Sequence, residues 1–318
     1  MNKIMARILQ EAGVPELLEV LAERLSPTDL QSLLLEVYRQ RAQRVTPANL
    51  MRQYEHNRFV QPAQVRPQQL LALEQLAFSL LPAGFEAVEL SPVCPLGASS
   101  ALSTVDQNWV VTTVRNTEVC ADSTSVLALE CARRRREAYR QRARPAEDTR
   151  LCASQRLLRA QVFEGPVSFA HFRLLSLCTA GRDRGAYGFE VKALLEHLRF
   201  YIKLLESAQA QGYGLESVRV TLTAFNLAMF EALESGVLPP LAAEFPAVAF
   251  GFDQARESGR GYYVGAGLQV HARDLAGTEY FLVDGGFTDW TQRLLSNRKE
   301  RLLTSGMGSE RFLLCFGP

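Results

Sequence analysis

The stretch LLTSGMGSERFLLCFGP, residues 302–318, places two glycines, Gly306 and Gly308, just before an acid–base pair, Glu310 and Arg311, and then runs apolar from Phe312 to Phe316. Glycine lets a backbone come close to whatever lies opposite, and the apolar run marks the segment as buried rather than as a frayed tail. A tight turn into a buried strand or helix uses the same residues as a ligand-facing loop. On this stretch alone both readings stand.

Working outward, 318 residues with 47% hydrophobic and 22% charged residues allow one large core or two smaller ones. A net charge of +1 gives no global electrostatic pull toward nucleic acid. No apolar stretch reaches the roughly 20 residues that span a bilayer, and Glu11 interrupts the start before a signal-like segment can form. Six cysteines occur without a Cys-x-x-Cys pair or histidines at metal-ligand spacing, so the expectation is a cytoplasmic protein with buried thiols and no zinc.

Residues 1–65 read as an N-terminal helical module and residues 66–318 as the core. In SPTDLQSLLLEVYRQRAQ, residues 26–43, Ser26 is a candidate N-cap, Pro27 opens the helix and Asp29 completes a capping box. Leu30, Leu33, Leu34, Val37 and Tyr38 share one face, which is expected to pack on something. Gly13 ends an earlier helix and Pro15 opens another. A further helix follows Pro67, and a long one, FEVKALLEHLRFYIKLLESAQAQG, is expected to stop at Gly212. FEAVEL, QNWVVTTVR, LLRAQVF, ESVRVTLTAF, YVGAGLQVHAR and EYFLVDGG read as strands. Strands outnumber what a doubly wound pattern gives, so the fold class expected is α+β with a mainly antiparallel sheet flanked by helices. Seven arginines between Arg133 and Arg144 are either a phosphate-binding patch for RNA or a solvated helix end; no aromatics interleave them as a single-strand binder would require.

The order of short motifs over residues 67–318 resembles the class II aminoacyl-tRNA synthetases, closest to histidyl-tRNA synthetase and its paralogue that regulates ATP phosphoribosyltransferase. GFEAVELSPVCPLG is similar to the first motif, a strand ending at a proline in a dimer interface. TTVRNTEVCADSTSVLALECA resembles the segment before a helix where Asp122 and Thr124 would meet the amino group of a bound amino acid, with Arg115 and Glu118 as the alternative register. An N-cap explains Asp122 and Thr124 equally well. LLRAQVFEGPVSFAHFRLLSL falls where the second motif grips ATP with a hairpin whose first strand ends Phe-Arg-x-Glu, the arginine touching the α-phosphate. Here Phe163 is followed by Glu164, an acid where that arginine belongs, and Arg173 could reach in from the returning strand while His171 reads as structural. SGRGYYVGAG resembles Arg-Gly-Leu-Asp-Tyr-Tyr, with Tyr262 and Tyr263 matching; the arginine stands at Arg260, and Ser258 occupies its usual place. VDGGFTDW supplies Gly285 and Gly286, which would let substrate approach a strand end. SGMGSERF resembles the third motif, which implies that Gly306 and Gly308 lie against ATP and that Glu310 and Arg311 face its phosphates. The sequence closes there, without the anticodon-binding domain of histidyl-tRNA synthetase, so a free-standing core is expected.

The resemblance implies ATP and Mg as cofactors, an amino acid or similar small carboxylate as ligand, Arg311 and Arg173 as catalytic candidates, and a homodimer. Two functions follow: an ATP-dependent amino-acid-activating ligase that does not perform ordinary tRNA charging, or a ligand-sensing paralogue that acts through a protein partner.

Overall fold

The computed structural model describes residues 3–103, 105–141, 147–161 and 169–317. Phe163, Glu164, Gly165 and Pro166 lie outside the described residues, as do Arg142 and Arg144 of the arginine run.

The N-terminal residues form helices α1 (Lys3–Ala12), α2 (Leu17–Glu19), α3 (Pro27–Ala42) and α4 (Pro47–His56), with a π turn, Val20–Arg24, extending α2. Gly13 ends α1 at φ +66°, and the Ser26 hydroxyl caps α3 by accepting from the Asp29 N–H at 3.1 Å. The apolar stripe of α3 departs from expectation. No residue of α3 is buried, and Leu33 and Tyr38 keep 44% and 59% of their surface exposed. Helix α5 (Pro67–Ser79) then joins the core through Leu73 and Ala77.

Eight strands form the main sheet: β1 (Phe85–Ala87), β4 (Thr149–Leu158), β5 (His171–Arg182), β6 (Leu215–Ala224), β7 (Ala249–Phe252), β8 (Ala266–Asp274), β9 (Glu279–Thr288) and β10 (Glu300–Gly308). Their spatial order is β1-β4-β5-β10-β9-β8-β6-β7, and all neighbours are antiparallel except the two edge pairs, β1 with β4 and β6 with β7. A separate ladder joins β2 (Val93–Pro95) to β3 (Thr117–Val119). The fold is therefore α+β with a mostly antiparallel sheet, as the pattern of elements predicts.

Both faces of the central strands are covered, and the alternation of side chains shows it. On β4, Cys152 joins the layer beneath helix α8 (Gly188–Ala210), while its neighbours Leu151 and Ala153 join the opposite layer beneath α7 (Ser123–Arg140). Leu303 and Leu302 on β10 divide in the same way. The α8 layer also takes in α9 (Leu227–Gly236), α10 (Leu238–Glu244) and α12 (Ser309–Phe316), with Phe312 and Phe316 stacked on one another. The α7 side is completed by α6 (Ala98–Ser103) and α11 (Trp290–Leu295) through Leu102 and Trp290.

Two expectations are corrected here. QNWVVTTVR forms a short 3-10 turn and then one isolated bridge, Thr112 to Glu118 of β3, whose ladder is made with β2 instead. In the arginine run, Arg133 to Arg136 are engaged with the protein and are neither a free phosphate patch nor simply a solvated end. Arg133 pairs with Glu130, Arg134 with Glu86 and Glu130, Arg136 donates to the Leu294 carbonyl, and Arg135 is fully buried against Glu300. No helix among the described residues is long and apolar enough to cross a membrane.

Candidate functional site

A cavity of about 530 Å³ opens over the central strands β5, β10 and β9, beside the N-terminus of α7. The glycines of β10 shape one wall: Gly306 faces Leu174 across the β5 ladder, where an added Cβ would come within 3.2 Å of that side chain. Asp122, Thr124, Arg173, Tyr262, Tyr263, Gly308, Glu310 and Arg311 all meet at this cavity, although up to 189 residues separate them in the chain (311 − 122).

Asp122 is the N-cap of α7. Its Oδ1 accepts from the Thr124 N–H at 2.8 Å and from the Thr124 hydroxyl at 2.7 Å, so the cap is made, and both residues also line the cavity. Its Oδ2 accepts from the Tyr262 hydroxyl at 3.3 Å and lies 3.9 Å from an Nη of Arg159. The Arg159 guanidinium is oriented by a 2.7 Å bond from Nε to the Ala121 carbonyl and by the Phe172 ring beneath it. An acid and a base thus stand side by side at one cavity wall.

A second acid–base pair sits next to them. Tyr263 donates to Asp284 at 3.1 Å, and the buried Arg256 donates to the same carboxylate at 2.7 Å. The Asp284 side chain keeps 40% of its surface open. Burial pushes its carboxyl above the ordinary range, with Arg256 opposing the shift. Burial, reinforced by the Asp122 and Asp284 charges, pushes both Tyr262 and Tyr263 well above the ordinary phenol range, so both remain protonated donors. Their rings meet edge to face at 4.8 Å.

At the other end, Arg311 lines the cavity from the first turn of α12 and makes no ion pair or hydrogen bond among the described residues. Its neighbour Glu310 is bonded to Arg156. Arg173 is also engaged: its Nε donates to Glu74 at 2.7 Å and to Ser154 at 3.1 Å, which anchors β5 to α5. Beneath the floor, the fully buried His197 bonds Ser305 at 2.7 Å and Thr179 at 2.9 Å.

Five candidates lie elsewhere. Glu118 is buried and accepts from the backbone N–H groups of Gly97 and Ser99, a purely internal role. Arg115 is exposed at the turn before β3. Arg260 turns to the carbonyls of Arg256 and Gln254, with its guanidinium over Phe225. Gly285 and Gly286 admit protein rather than a ligand: a Cβ on Gly285 would lie 2.7 Å from the Ser305 Cβ, and one on Gly286 would lie 2.5 Å from the Tyr263 ring.

Solved structures align with most of this chain. Histidyl-tRNA synthetase from S. aureus aligns over 80% of this chain and 68% of its own, with a TM-score of 0.55 at 13% identity. A protein from Bacillus halodurans described as an ATP phosphoribosyltransferase regulatory subunit/histidyl-tRNA synthetase aligns over 81% and 83%, with a TM-score of 0.54 at 14% identity. A putative threonyl-tRNA synthetase from Aeropyrum pernix covers 77% of this chain and 58% of its own, with a TM-score of 0.57 at 13% identity. The fold is that of a class II aminoacyl-tRNA synthetase core. No protein-family model matches the sequence, and no curated protein matches it significantly.

On this class II core the hairpin β4–β5 takes a different register from the one read in the sequence. Strand β4 ends at Leu158, with Leu158 opposite His171, so the arginine just past the strand end is Arg159. Arg159, Arg256 and Asp284 are the site residues that sequence reasoning missed. Arg159 was hidden by a strand boundary placed five residues late. Arg256 and Asp284, 28 residues apart, have no local signature.

Proposed function

We propose that the cavity binds an α-amino acid, with its ammonium against Asp122, Thr124 and Tyr262 and its carboxylate toward Arg159, and that a nucleotide's phosphates extend toward Arg311. The observation that carries this reading is the pairing of Asp122 with Arg159 at 3.9 Å on one cavity wall. A zwitterion with adjacent positive and negative groups is the chemical complement of such a pair. Asp284, held by Arg256 and Tyr263, retains spare lone pairs and favours a ligand side chain that carries a hydrogen-bond donor.

Mg²⁺ does not fit as well as the amino acid. Among the described residues no three His, Cys, Asp or Glu side chains cluster as a metal site, and Glu310 beside Arg311 is already bonded to Arg156. Arg173 is committed to Glu74 in the same way. These engagements favour ligand sensing without adenylation, through a protein partner or a second copy of the chain. The competing reading, an activating ligase, draws its support from Arg159 and Arg311 both facing the cavity.

Calorimetric titration with each amino acid, alone and with ATP, combined with ATP–pyrophosphate exchange, tests both. Binding of an amino acid without exchange is the expected result, and amino-acid-stimulated exchange would establish the ligase instead. Arg311→Ala is expected to weaken ATP by roughly ten- to a hundredfold, the worth of a charged hydrogen bond. Unchanged ATP affinity would remove Arg311 from the site.

A further inference from the structure

The hairpin that carries Arg159 is fastened to the N-terminal helices. After α4 the chain runs irregularly to α5 and touches both strands of the hairpin at its turn end, where Leu158 pairs with His171. Arg58 donates through Nη2 to the Ala160 carbonyl and through Nη1 to the Gln161 carbonyl at 3.2 Å, with its guanidinium 4.5 Å from the Phe59 ring centroid. Those carbonyls belong to the two residues directly after Arg159. Three residues beyond Arg58, the Gln61 carbonyl accepts from His171 Nε2 at 2.6 Å. A guanidinium can only donate, so His171 Nδ1 accepts from Arg156 at 2.9 Å and the ring proton resides on Nε2. Arg156 in turn holds Glu310, the neighbour of Arg311.

We propose that Arg58 to Gln61 is a positioning strap for the anion-binding groups of the cavity, Arg159 and Arg311. One arm fixes the backbone that aims Arg159. The other arm runs through His171 and Arg156 to Glu310 and fixes the first turn of α12, from which Arg311 projects. Arg58 touches no ligand and acts through Arg159. The inference rests on the reading of Arg159 and Arg311 as anion-binding groups. It assigns the N-terminal helices, whose apolar faces are largely exposed, a direct mechanical connection to the ligand site, and it separates the anion-binding groups from the carboxylate beside them: the strap reaches Arg159 and Glu310, whereas Thr124 and Tyr262 hold Asp122 independently.

The test uses the full chain with Arg58→Ala, Arg58→Lys and His171→Ala, each first shown to unfold at the wild-type urea midpoint. Two readouts are compared: amide hydrogen exchange of the unliganded protein in segments 156–161 and 309–313, and calorimetric affinity for inorganic pyrophosphate. Arg58→Ala is expected to speed exchange in 156–161, and His171→Ala in 309–313, each by roughly three- to tenfold, with pyrophosphate weakened by a similar factor. Arg58→Lys, which keeps the charge but lacks the planar fork that sends one nitrogen to each carbonyl, should recover only part of the loss. Unchanged exchange in both segments overturns the strap, whether or not pyrophosphate binds. Faster exchange with unchanged pyrophosphate affinity overturns its positioning role. A wild-type protein that does not bind pyrophosphate, with exchange responding as expected, overturns the anion-site reading and leaves the strap standing.

Discussion

His197 gives the cavity floor a predictable weakness in acid. The ring is fully buried on α8, bonds Ser305 and Thr179, and burial pushes its pKa from the ordinary 6.5 down to about 3, with Arg150 adding to the shift. Between those values the unfolded chain binds a proton that the folded chain refuses. Stability contributed by the neutral ring is therefore complete above about pH 6.5 and falls as pH falls toward 3. At about 1.4 kcal/mol per pH unit, the loss is about 2 kcal/mol by pH 5 and on the order of 5 kcal/mol across the window. Glutamine at this position keeps a donor and an acceptor without titrating. Urea unfolding of wild type and His197→Gln at pH 7.5 and pH 5 isolates the effect, because the other titrating groups are common to both. Wild type should lose about 2 kcal/mol more than the variant between the two pH values. Parallel losses would refute the claim that His197 is neutral and inaccessible to protons in the folded state.

Two further expectations concern the frame of the site. Gly286→Ala places a Cβ 2.5 Å from the Tyr263 ring and 2.8 Å from the Ala266 carbonyl, and overpacking of this kind should cost about 1–3 kcal/mol, read as a lowered thermal midpoint. Arg135→Met leaves Glu300 buried with the Tyr139 hydroxyl as its remaining side-chain partner and should cost about 3–5 kcal/mol in urea unfolding; adding Glu300→Leu should restore most of it.

The fold was legible wherever a local pattern and its tertiary partner agree. The face of α8 repeats at helical spacing, and Gly212 stops the chain just beyond it at φ +90°. The glycines before Glu310 and Arg311 lie on β10, which turns directly into α12. Strand β4 was harder to place. Its Arg150, Ser154 and Arg156 read as exposed in isolation, yet they are satisfied by Glu196, Glu74 and Glu310, groups at least 46 residues distant. That late boundary moved the apparent strand-end residue from Arg159 to Glu164. QNWVVTTVR failed for the opposite reason, since its β-branched residues meet only an isolated bridge. Of the site, Asp122, Thr124, the tyrosine pair and Arg311 were visible as motifs. Arg256 and Asp284 come together only through the pairing of β9 with its neighbours and the loop that precedes β8.

The claim that Asp122 and Arg159 together form a zwitterion pocket is tested most directly by calorimetry with three related ligands: the amino acid that binds best, its amino alcohol without the carboxylate, and its carboxylic acid without the amine. The account predicts that each truncated ligand binds roughly ten- to a hundredfold more weakly than the parent, since each loses one charged hydrogen-bond partner. Equal affinity for the parent and either truncated form, or no binding by any amino acid, would contradict it.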